Sequence, residues 1–560
     1  MNPTMTILLV VGIYFTVSLS IGFWVARKEK NKVDDYFLAG RKLPWYAVAM
    51  SMTGSNIGTE HFIGMVGTAY AFGLAPATYE WGNFIPYSIL CWIFLPFFFR
   101  KKLYTIPEFL ERRYAPSTRG VFAALSLLHM ILGVLAPALY AGGRIVYEMA
   151  LQQPVKAFNW GFMGCVLIIS GVTAAYCIYG GLLSVVWTDV LQVAILVVGG
   201  LLLVLIGINN VGGINEVIQK NLAADSTRFS LIQRASHPVS PWPGVATFWL
   251  TLSLWYVGTN QFYIQRCLGA RSEWDAKMGV IGCAFIKFFL PLIIVFPGLV
   301  AFAMFGPGLV EDAIYVKMVN ELLPPVGRGI LLAALIAAIM STVSSVLNSA
   351  STIWAMDVHK RLLRPIATEQ ELVKVGRWST FVIIVLGTAL APLLLWWKGG
   401  IFIYIQDMAA FFAPPIAVIF LAAFLWRRAH SRAATFTLVF GIITGILLKI
   451  AGLKGLAFLR FAGVNVAAEQ LQWLRTFFAT LQPLLNRAAV NWMLCFAALI
   501  LTTMLIPRNP KESYDPDTIW NRRWARLPEI ERPLNRGWRN LMFWWVVMIS
   551  ISTGLFVIFR

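Results

Sequence analysis

Apolar residues recur along this chain in runs that are long enough to cross a membrane as helices. The hydrocarbon core of a bilayer is about 30 Å thick, so a helix that spans it needs roughly 20 apolar residues. The sequence predicts fourteen spans, at 4–25, 46–71, 77–99, 120–149, 159–180, 183–207, 246–264, 278–305, 329–356, 378–397, 401–425, 434–452, 490–506 and 540–559. We therefore expect an all-α membrane protein with many spans.

The composition excludes a soluble protein. Apolar residues make up 58% of the chain and charged residues 13%, and the mean hydropathy is +0.71. The first span has neither the basic start nor the small-residue cleavage site of a signal peptide, so we expect it to be retained. The six cysteines lie in or beside apolar runs without a paired spacing, so we interpret them as small buried residues.

The net charge of +20 is explained by topology rather than by an acidic partner. Loops that stay in the cytoplasm are enriched in Lys and Arg. Six alternate loops hold 31 of the 46 basic residues, namely 26–45, 100–119, 265–277, 357–377, 426–433 and 507–539, whereas the opposite loops with the last residue hold 12. The first set is predicted to be cytoplasmic and both termini outside, with no nucleic-acid partner.

The loop 507–539 interleaves Trp, Arg and Pro. We expect it to lie on anionic lipid headgroups, and a regulatory or partner-binding role is the alternative.

Glycine and polar residues interrupt the second and seventh spans. The second has Gly54, Gly58 and Gly64 together with polar residues between 51 and 61, and the seventh is interrupted at 258–261. Backbone that leaves the helix at membrane depth is tolerated where it lines a cavity. Because five spans separate them, these segments predict two inverted five-helix repeats with a binding site between two broken helices. A continuous helix that is kinked by glycine is the alternative.

Four parts of the chain follow from this pattern. They are an extra N-terminal span and loop at 1–45, a first repeat at 46–207, a second repeat at 246–425 and accessory spans at 434–560.

The ninth span carries a cluster of hydroxyl side chains. They are Ser341, Thr342, Ser344, Ser345, Ser349, Ser351 and Thr352. Small hydroxyl residues commonly let helices pack closely. The alternative is an oxygen site for a small hard cation, formed by Ser341, Thr342, the Ala338 carbonyl and carbonyls freed in the second span.

Other polar side chains lie within the spans and are costly there unless they have a function or a partner. They are Asn56, His61, Glu80, Asp189, Lys287, Gln406 and Asp407. Together most of them offer both donors and acceptors, and Tyr256 offers an aromatic face. This mixture suits a neutral polyhydroxylated ligand, because an anion or a zwitterion needs a fixed opposite charge. Structural pairing is the alternative.

At these residues the chain resembles the sodium/solute symporter family, and within it the sodium/glucose cotransporter branch. The segments that carry the resemblance are DDYFLAGRKLPWY (34–46), SNIGTEHFIGMVGTAYAFGLAPATYEW (55–81), YTIPEFLERRY (104–114), YGGLLSVVWTDVLQ (179–192), NQFYIQRCLGA (260–270), STVSSVLNSASTIWAMDVHKR (341–361) and YIQDMAAFFAPPIAVIFLAAFLWRR (404–428). The resemblance implies a ten-helix inverted-repeat core, formed by spans two to eleven, that works by alternating access.

The resemblance also implies a sodium site. Its ligands would be the carbonyls of Gly54, Ile57 and Ala338 and the hydroxyls of Ser341 and Thr342. The family usually has two serines at the last pair, and Thr342 keeps the hydroxyl. Asp189 matches an acidic residue on the sodium exit path.

For the substrate the resemblance implies Asn56, Glu60, His61, Glu80, Ser253, Lys287 and Gln406. Tyr256 would form an inner lid, and Met65, Tyr79 and Phe402 an outer gate. Lys287 and Gln406 favour sugar over proline, sialic acid or pantothenate, whereas His61 and Ser253 are positions where sugar transporters differ.

The sequence therefore predicts a sodium-driven symporter that imports a sugar or a related polyhydroxylated solute across the cell membrane. Symport of another small solute (an amino acid, sialic acid or other carboxylate, or a polyol) is one alternative, and a sugar-gated sensor or uncoupled channel is another. Na⁺ is the expected coupling ion, and we expect no other metal and no cofactor. The five histidines have no metal-ligand spacing, and no catalytic constellation is evident, so we do not expect an enzyme.

Overall fold

The structure, a computed structural model, describes residues 3–27, 32–58, 60–151, 155, 157–397, 401–455, 474, 476–510, 512 and 514–560. Within these residues eleven helices are long and apolar enough to cross a membrane. They are Thr4–Ala26, Ala75–Arg100, Pro116–Met149, Trp160–Val211, Glu273–Phe305, Pro325–Leu363, Glu369–Trp396, Ile403–Leu425, Ser431–Leu453, Leu484–Leu505 and Leu541–Ile558.

The 52-residue segment Trp160–Val211 is two spans rather than one. At Gly181 the backbone leaves the helix with φ of 51° and ψ of −146°, and the chain changes direction there. A Cβ atom at this position would overlap the carbonyl oxygen of Tyr36. Only glycine fits both the positive φ and this close approach, and it separates the predicted fifth and sixth spans.

The second and seventh spans are broken helices, as the sequence predicts. The second consists of Trp45–Asn56, an extended Ile57 (φ −95°, ψ 104°), the π-helical turn Glu60–Met65 and Val66–Phe72. The seventh consists of Leu252–Thr259, an extended Asn260 (φ −77°, ψ 125°) and Gln261–Leu268. With these two, the described chain has the fourteen predicted spans, which we number in chain order.

Several predicted boundaries differ from the structure, for example the starts of the tenth and thirteenth spans, and two of the differences have a clear physical reason. The seventh span, predicted to end at residue 264, continues to Leu268, because Gln265 and Arg266 are fully buried and hydrogen-bonded to neighbouring helices. The ninth span, predicted to end at 356, continues as a π-helical segment to Leu363 that carries basic residues at its end. Hydropathy alone does not detect polar residues that are satisfied inside a helix bundle.

The ninth span is the centre of the bundle. In the most apolar stretch of this helix 94% of the residues are buried. The corresponding share is only 28% in the first span and 17% in the last span. The ninth span packs on Trp160–Val211, on the first span and on the helix Trp45–Asn56 of the second. Its hydroxyl cluster is therefore buried, and Ser341, Ser344 and Ser345 have no exposed surface.

The accessory twelfth and thirteenth spans are anchored to the eleventh by a buried ion triad. The Asp407 carboxylate, 1% exposed, lies 2.5 Å from the Lys449 ammonium and 2.9 Å from the Arg487 guanidinium. Breaking a buried pair leaves an uncompensated charge and costs about 3–5 kcal/mol. The triad therefore fixes the part of the eleventh span that also carries Gln406 against the accessory helices.

We predict that Gly181→Ala destabilises the protein, because the left-handed backbone and the overlap with Tyr36 cost about 1–3 kcal/mol or more. The thermal unfolding midpoint of the detergent-purified protein should fall. Gly164→Ala on the same segment is the matched control, since a Cβ there has open space. Equal midpoints for the two variants would contradict the assigned role of Gly181.

Candidate functional site

The break in the second span lies directly against the hydroxyl cluster of the ninth. A Cβ added to Gly54 would come within 2.9 Å of the Ser341 Oγ atom, so the absence of a side chain brings the two helices together. On the ninth span, Thr342 Oγ1 donates a hydrogen bond to the Ala338 carbonyl at 3.2 Å. Gly54, Ala338, Ser341 and Thr342 are all buried. The structure thus brings most of the predicted sodium ligands to one helix contact, and Ile57 occupies the break itself.

Asp189 orients the Ser341 hydroxyl at this contact. Ser341 Oγ donates a hydrogen bond to Asp189 Oδ1 at 2.6 Å, and Ser51 Oγ donates to Asp189 Oδ2 at 2.5 Å. A hydroxyl that binds a cation through its lone pairs must point its hydrogen elsewhere. The carboxylate accepts that hydrogen, so the Ser341 oxygen is left available as a cation ligand. This contact places Asp189 beside the candidate sodium site, and its part in sodium exit stays a prediction.

Arg266 joins the two broken helices and the ninth span in one buried network. This residue has no exposed surface, and its guanidinium lies 3.5 Å from the Asp189 carboxylate. Arg266 Nε donates to Ser51 Oγ at 3.1 Å, and its terminal nitrogens donate to Ser345 Oγ and the Phe262 carbonyl. The sequence placed Arg266 in a cytoplasmic loop, and this placement is wrong.

A cavity of about 150 Å³ lies between the two breaks. Most of the predicted substrate and gate residues line it, namely Asn56, His61, Met65, Tyr79, Glu80, Ser253, Tyr256, Lys287 and Gln406. The side chains of Glu60 and Phe402 lie outside the described part of the chain. Thr342 also lines the cavity, so the candidate ion site and the candidate substrate site share a wall.

The charged groups in this cavity are paired with one another. Lys287 Nζ donates to Glu80 Oε2 at 2.6 Å, and both side chains are at most 4% exposed. His61 Nε2 lies 3.7 Å from the other Glu80 oxygen. Because the ammonium and the carboxylate neutralise each other, the pair presents hydrogen-bonding groups rather than a fixed charge for an anion or a cation.

An unsatisfied acceptor points to a ligand. The Asn56 Oδ1 atom is buried, lies on a cavity-lining residue and has no hydrogen-bond partner among the described residues. A buried acceptor without a partner costs about 1–3 kcal/mol, which a ligand hydroxyl in the cavity would recover. Ser253 in the opposite broken helix donates its hydroxyl to Asn83 and is already engaged.

Two tyrosines are held in place at the cavity by backbone carbonyls. Tyr256 donates to the Ser55 carbonyl at 3.1 Å, just before the break in the second span, and its ring packs on Phe262 with centroids 5.6 Å apart. Tyr79 donates to the Val239 carbonyl at 2.8 Å, and its ring packs edge-on against Phe248. The contact of Tyr256 with Ser55 links the predicted inner lid to the segment that carries the candidate sodium ligands.

Sequence reasoning missed several lining residues, including Asn83, His129 and Trp255. Asn83 follows Glu80 by three residues, so their shared helix face was a usable signal. His129 stands alone in the apolar fourth span, where its ring packs edge-on against Trp255 at 4.8 Å. Nothing in the local pattern connects His129 to the seventh span.

Comparison with known proteins identifies the family. The model of the sodium:solute symporter family matches residues 36–441. The chain belongs to this family. The sodium/glucose cotransporter of Vibrio parahaemolyticus is 35% identical over 80% of this chain and 86% of its own length, and the human sodium/myo-inositol cotransporter is 30% identical over 92% and 75%.

A solved structure confirms the fold of this symporter. A Na⁺-coupled sialic acid symporter, in a substrate-bound outward-open state, matches 91% of this chain and 99% of its own with a TM-score of 0.73 at 21% identity. The all-α fold with inverted repeats and two broken helices is therefore shown, and sodium is the family's coupling ion. The roles of individual site residues stay predictions.

We predict that the double variant Ser341→Ala/Thr342→Ala abolishes the stimulation of solute uptake by Na⁺, because it removes both hydroxyl ligands. Ser351→Ala is the matched control, since this buried serine lies on the same helix and donates its hydrogen bond to the Asn348 carbonyl, away from the candidate ligands. Uptake into proteoliposomes at varied Na⁺ measures the effect. An unchanged Na⁺ dependence in the double variant would refute the proposed ligands.

Proposed function

We propose that this chain is a sodium-driven symporter that imports a sugar or a polyol by alternating access, and that it is not an enzyme. The observation that carries the proposal is the shared wall at Thr342, where the hydroxyl face of the ninth span meets a polar cavity between two broken helices. Relatives named for glucose and for myo-inositol transport support the substrate class.

The cavity chemistry favours a neutral polyhydroxylated solute. The ammonium of Lys287 and the carboxylate of Glu80 are paired at 2.6 Å, so binding of an acid or a zwitterion would require breaking that pair. Ring hydroxyls can both donate and accept, and they can satisfy Asn56 Oδ1 without disturbing the pair. The aromatic face of Tyr256 offers a surface for the C–H face of a sugar or inositol ring.

The sodium ion would couple to the solute through the geometry of the second span. Na⁺ bound by Gly54, Ile57, Ala338, Ser341 and Thr342 would hold the broken helix against the ninth span. The segment between Gly54 and Ile57 includes Ser55 and Asn56, of which one positions the Tyr256 lid and the other lines the cavity. Each ligand then favours the conformation that the other favours, which is thermodynamic linkage.

The driving force is sufficient for accumulation. One Na⁺ that moves down about 100 mV yields about 2.3 kcal/mol. A tenfold Na⁺ concentration gradient adds about 1.4 kcal/mol. The two contributions together can sustain accumulation of a neutral solute by roughly a few hundred-fold.

We place the protein in the cell membrane with both termini outside. The excess of basic residues in loops such as 100–119 and 507–539 supports this orientation. The end of the last span lies at the long loop 208–245, where Leu231 N donates to the Phe559 carbonyl at 2.8 Å. The start of the first span lies near Gly329, at the beginning of the ninth. These contacts support the orientation, because they join the first and last spans to parts of the chain in or next to loops that hold few basic residues.

The substrate is tested by uptake of labelled glucose, galactose, myo-inositol, proline and sialic acid into proteoliposomes with an inward Na⁺ gradient. We expect concentrative uptake of a sugar or of myo-inositol, collapsing when K⁺ replaces Na⁺. Concentrative uptake of proline or sialic acid alone would refute the substrate class. Binding without uptake or counterflow would instead indicate a sensor.

We predict that Gln406→Ala raises the half-saturating sugar concentration about threefold to tenfold, as expected for the loss of one hydrogen bond. The Na⁺ affinity measured without sugar should stay the same. Gln370→Ala makes the same chemical change at an exposed position and is the control. A sugar response identical to that of the parent protein would count against the cavity as the substrate site.

The orientation predicts opposite labelling of two introduced cysteines. Ser226→Cys lies in the predicted outer loop, and Glu529→Cys lies in the predicted cytoplasmic loop, where the Glu529 side chain is 87% exposed. In intact cells a membrane-impermeant maleimide should label the first and reach the second only after permeabilisation. The reverse pattern would invert the topology.

A further inference from the structure

The loop 507–539, which we call the strap, connects the thirteenth and fourteenth spans. Its described residues lie across the ends of several core helices. The Trp520 amide donates to the Phe424 carbonyl at 2.9 Å, at the end of the eleventh span. Glu531 accepts hydrogen bonds from the amides of Glu273 and Trp274 at 3.1 and 2.8 Å and so caps the start of the eighth span.

Ion pairs hold the strap to the end of the third span. Lys101 Nζ lies 2.8 Å from the Asp515 carboxylate and 2.9 Å from that of Asp517, and hydrogen bonds with these two carboxylates raise the pKa of Lys101. Arg100 donates to the Trp524 carbonyl at 3.3 Å and to the Arg526 carbonyl. These contacts fix the backbone of the strap, including the residue that carries the Arg526 side chain.

A second cavity, of about 290 Å³, lies between the strap and the third and last spans. Its lining combines basic, polar and apolar residues: Trp92, Arg526, Arg532, Asn535, Leu541 and Met542. Arg532 pairs with Glu529 at 3.2 Å, but that carboxylate is 87% exposed, so the pair is weak and exchangeable. The cavity therefore has two cationic groups available for an anion.

The indole of Trp92 adds an unused donor. Its Nε1 atom is buried and has no hydrogen-bond partner among the described residues. Its ring lies 5.0 Å from the Lys277 ammonium, which is paired with the buried Glu273 carboxylate at 2.9 Å. A buried N–H group without an acceptor is costly, and an anionic oxygen is a strong acceptor for it.

The surroundings of the cavity match the surface of a bilayer. Ile530 on the strap is 88% exposed, Trp538 is 78% exposed, and Met542 at the start of the last span is 51% exposed. Apolar and aromatic side chains interleaved with arginine are typical of segments that lie at the level of lipid headgroups. These exposed side chains favour a ligand that comes from the membrane surface.

We propose that this cavity binds the headgroup of an anionic phospholipid, with the phosphodiester held by Arg526, Arg532 and the Trp92 indole. The lipid fills the gap between the strap and the third span, which carries Glu80 of the substrate cavity nearer its other end. This site is separate from the transport cavity and does not depend on the proposed function.

Binding is tested with the full-length protein in detergent by native mass spectrometry. Phosphatidylglycerol and phosphatidylcholine are titrated in parallel, and we expect one saturable phosphatidylglycerol that phosphatidylcholine does not displace. Free sn-glycerol phosphate and inorganic phosphate are added as competitors, and neither should displace the lipid at equal concentration. Displacement by free phosphate would assign the site to a soluble anion instead and overturn the lipid proposal.

Two double variants separate the cavity from general surface charge. Arg526→Gln/Arg532→Gln should weaken phosphatidylglycerol binding about tenfold or more, because each arginine near a headgroup contributes about a factor of five. Arg522→Gln/Arg523→Gln removes the same charge from exposed positions of the strap that do not line the cavity. It should weaken binding less, because neither of these arginines lines the cavity.

Trp92→Phe keeps the aromatic ring and removes the indole N–H, so it should weaken binding about threefold to tenfold. Equal losses in the two double variants, or no preference for phosphatidylglycerol over phosphatidylcholine, would overturn the proposal. Sodium-driven uptake need not be measured, so this result is independent of the transported solute.

Discussion

The structure depends on how two helices that break at membrane depth satisfy their backbone. A lipid-exposed break would leave N–H and C=O groups without partners, at several kcal/mol each. Here Ile57 and Asn260 are extended and buried inside the bundle, and their neighbours Asn56 and Val257 line a polar cavity. The carbonyls freed in this way are the groups that a sodium ion and a hydroxyl-rich solute can use. Bound ligands of this kind would offset the cost of the breaks.

A second level of organisation keeps the polar interior electrically balanced. In the cavity Lys287 and Glu80 neutralise each other, and beside the candidate ion site Arg266 and Asp189 do the same. An added Na⁺ would therefore enter a site without net charge, built from carbonyl and hydroxyl oxygens. The Asp189 carboxylate contributes by orienting the Ser341 hydroxyl, and Arg266 ties both broken helices to that carboxylate. Through these hydrogen bonds a bound ion would be linked to both inverted repeats.

Much of the fold could be predicted from the sequence because the bilayer imposes a length and a polarity on every span. Glycine and polar residues at 54–61 and 258–261 marked the two breaks, since such residues are rare in lipid-facing helices. The burial of Arg266 could not be predicted, because a charged residue at the end of a span is interpreted as surface until its partners on distant helices are known. For Asp407 the sequence indicated a position within a span, but not its partners Lys449 and Arg487. His129 was missed because nothing in the local pattern connects it to the seventh span, and the cavity beneath the strap depends on contacts between residues hundreds of positions apart.

The central claim is that ion and solute bind to neighbouring parts of one site and stabilise each other. The most direct measurement is the affinity of the purified protein for its sugar or polyol in Na⁺ and in K⁺, together with the affinity for Na⁺ with and without that solute. Linkage requires Na⁺ to tighten solute binding and the solute to tighten Na⁺ binding by the same factor, about 5-fold to 150-fold for typical couplings. Solute affinity that is equal in Na⁺ and K⁺ would contradict the account.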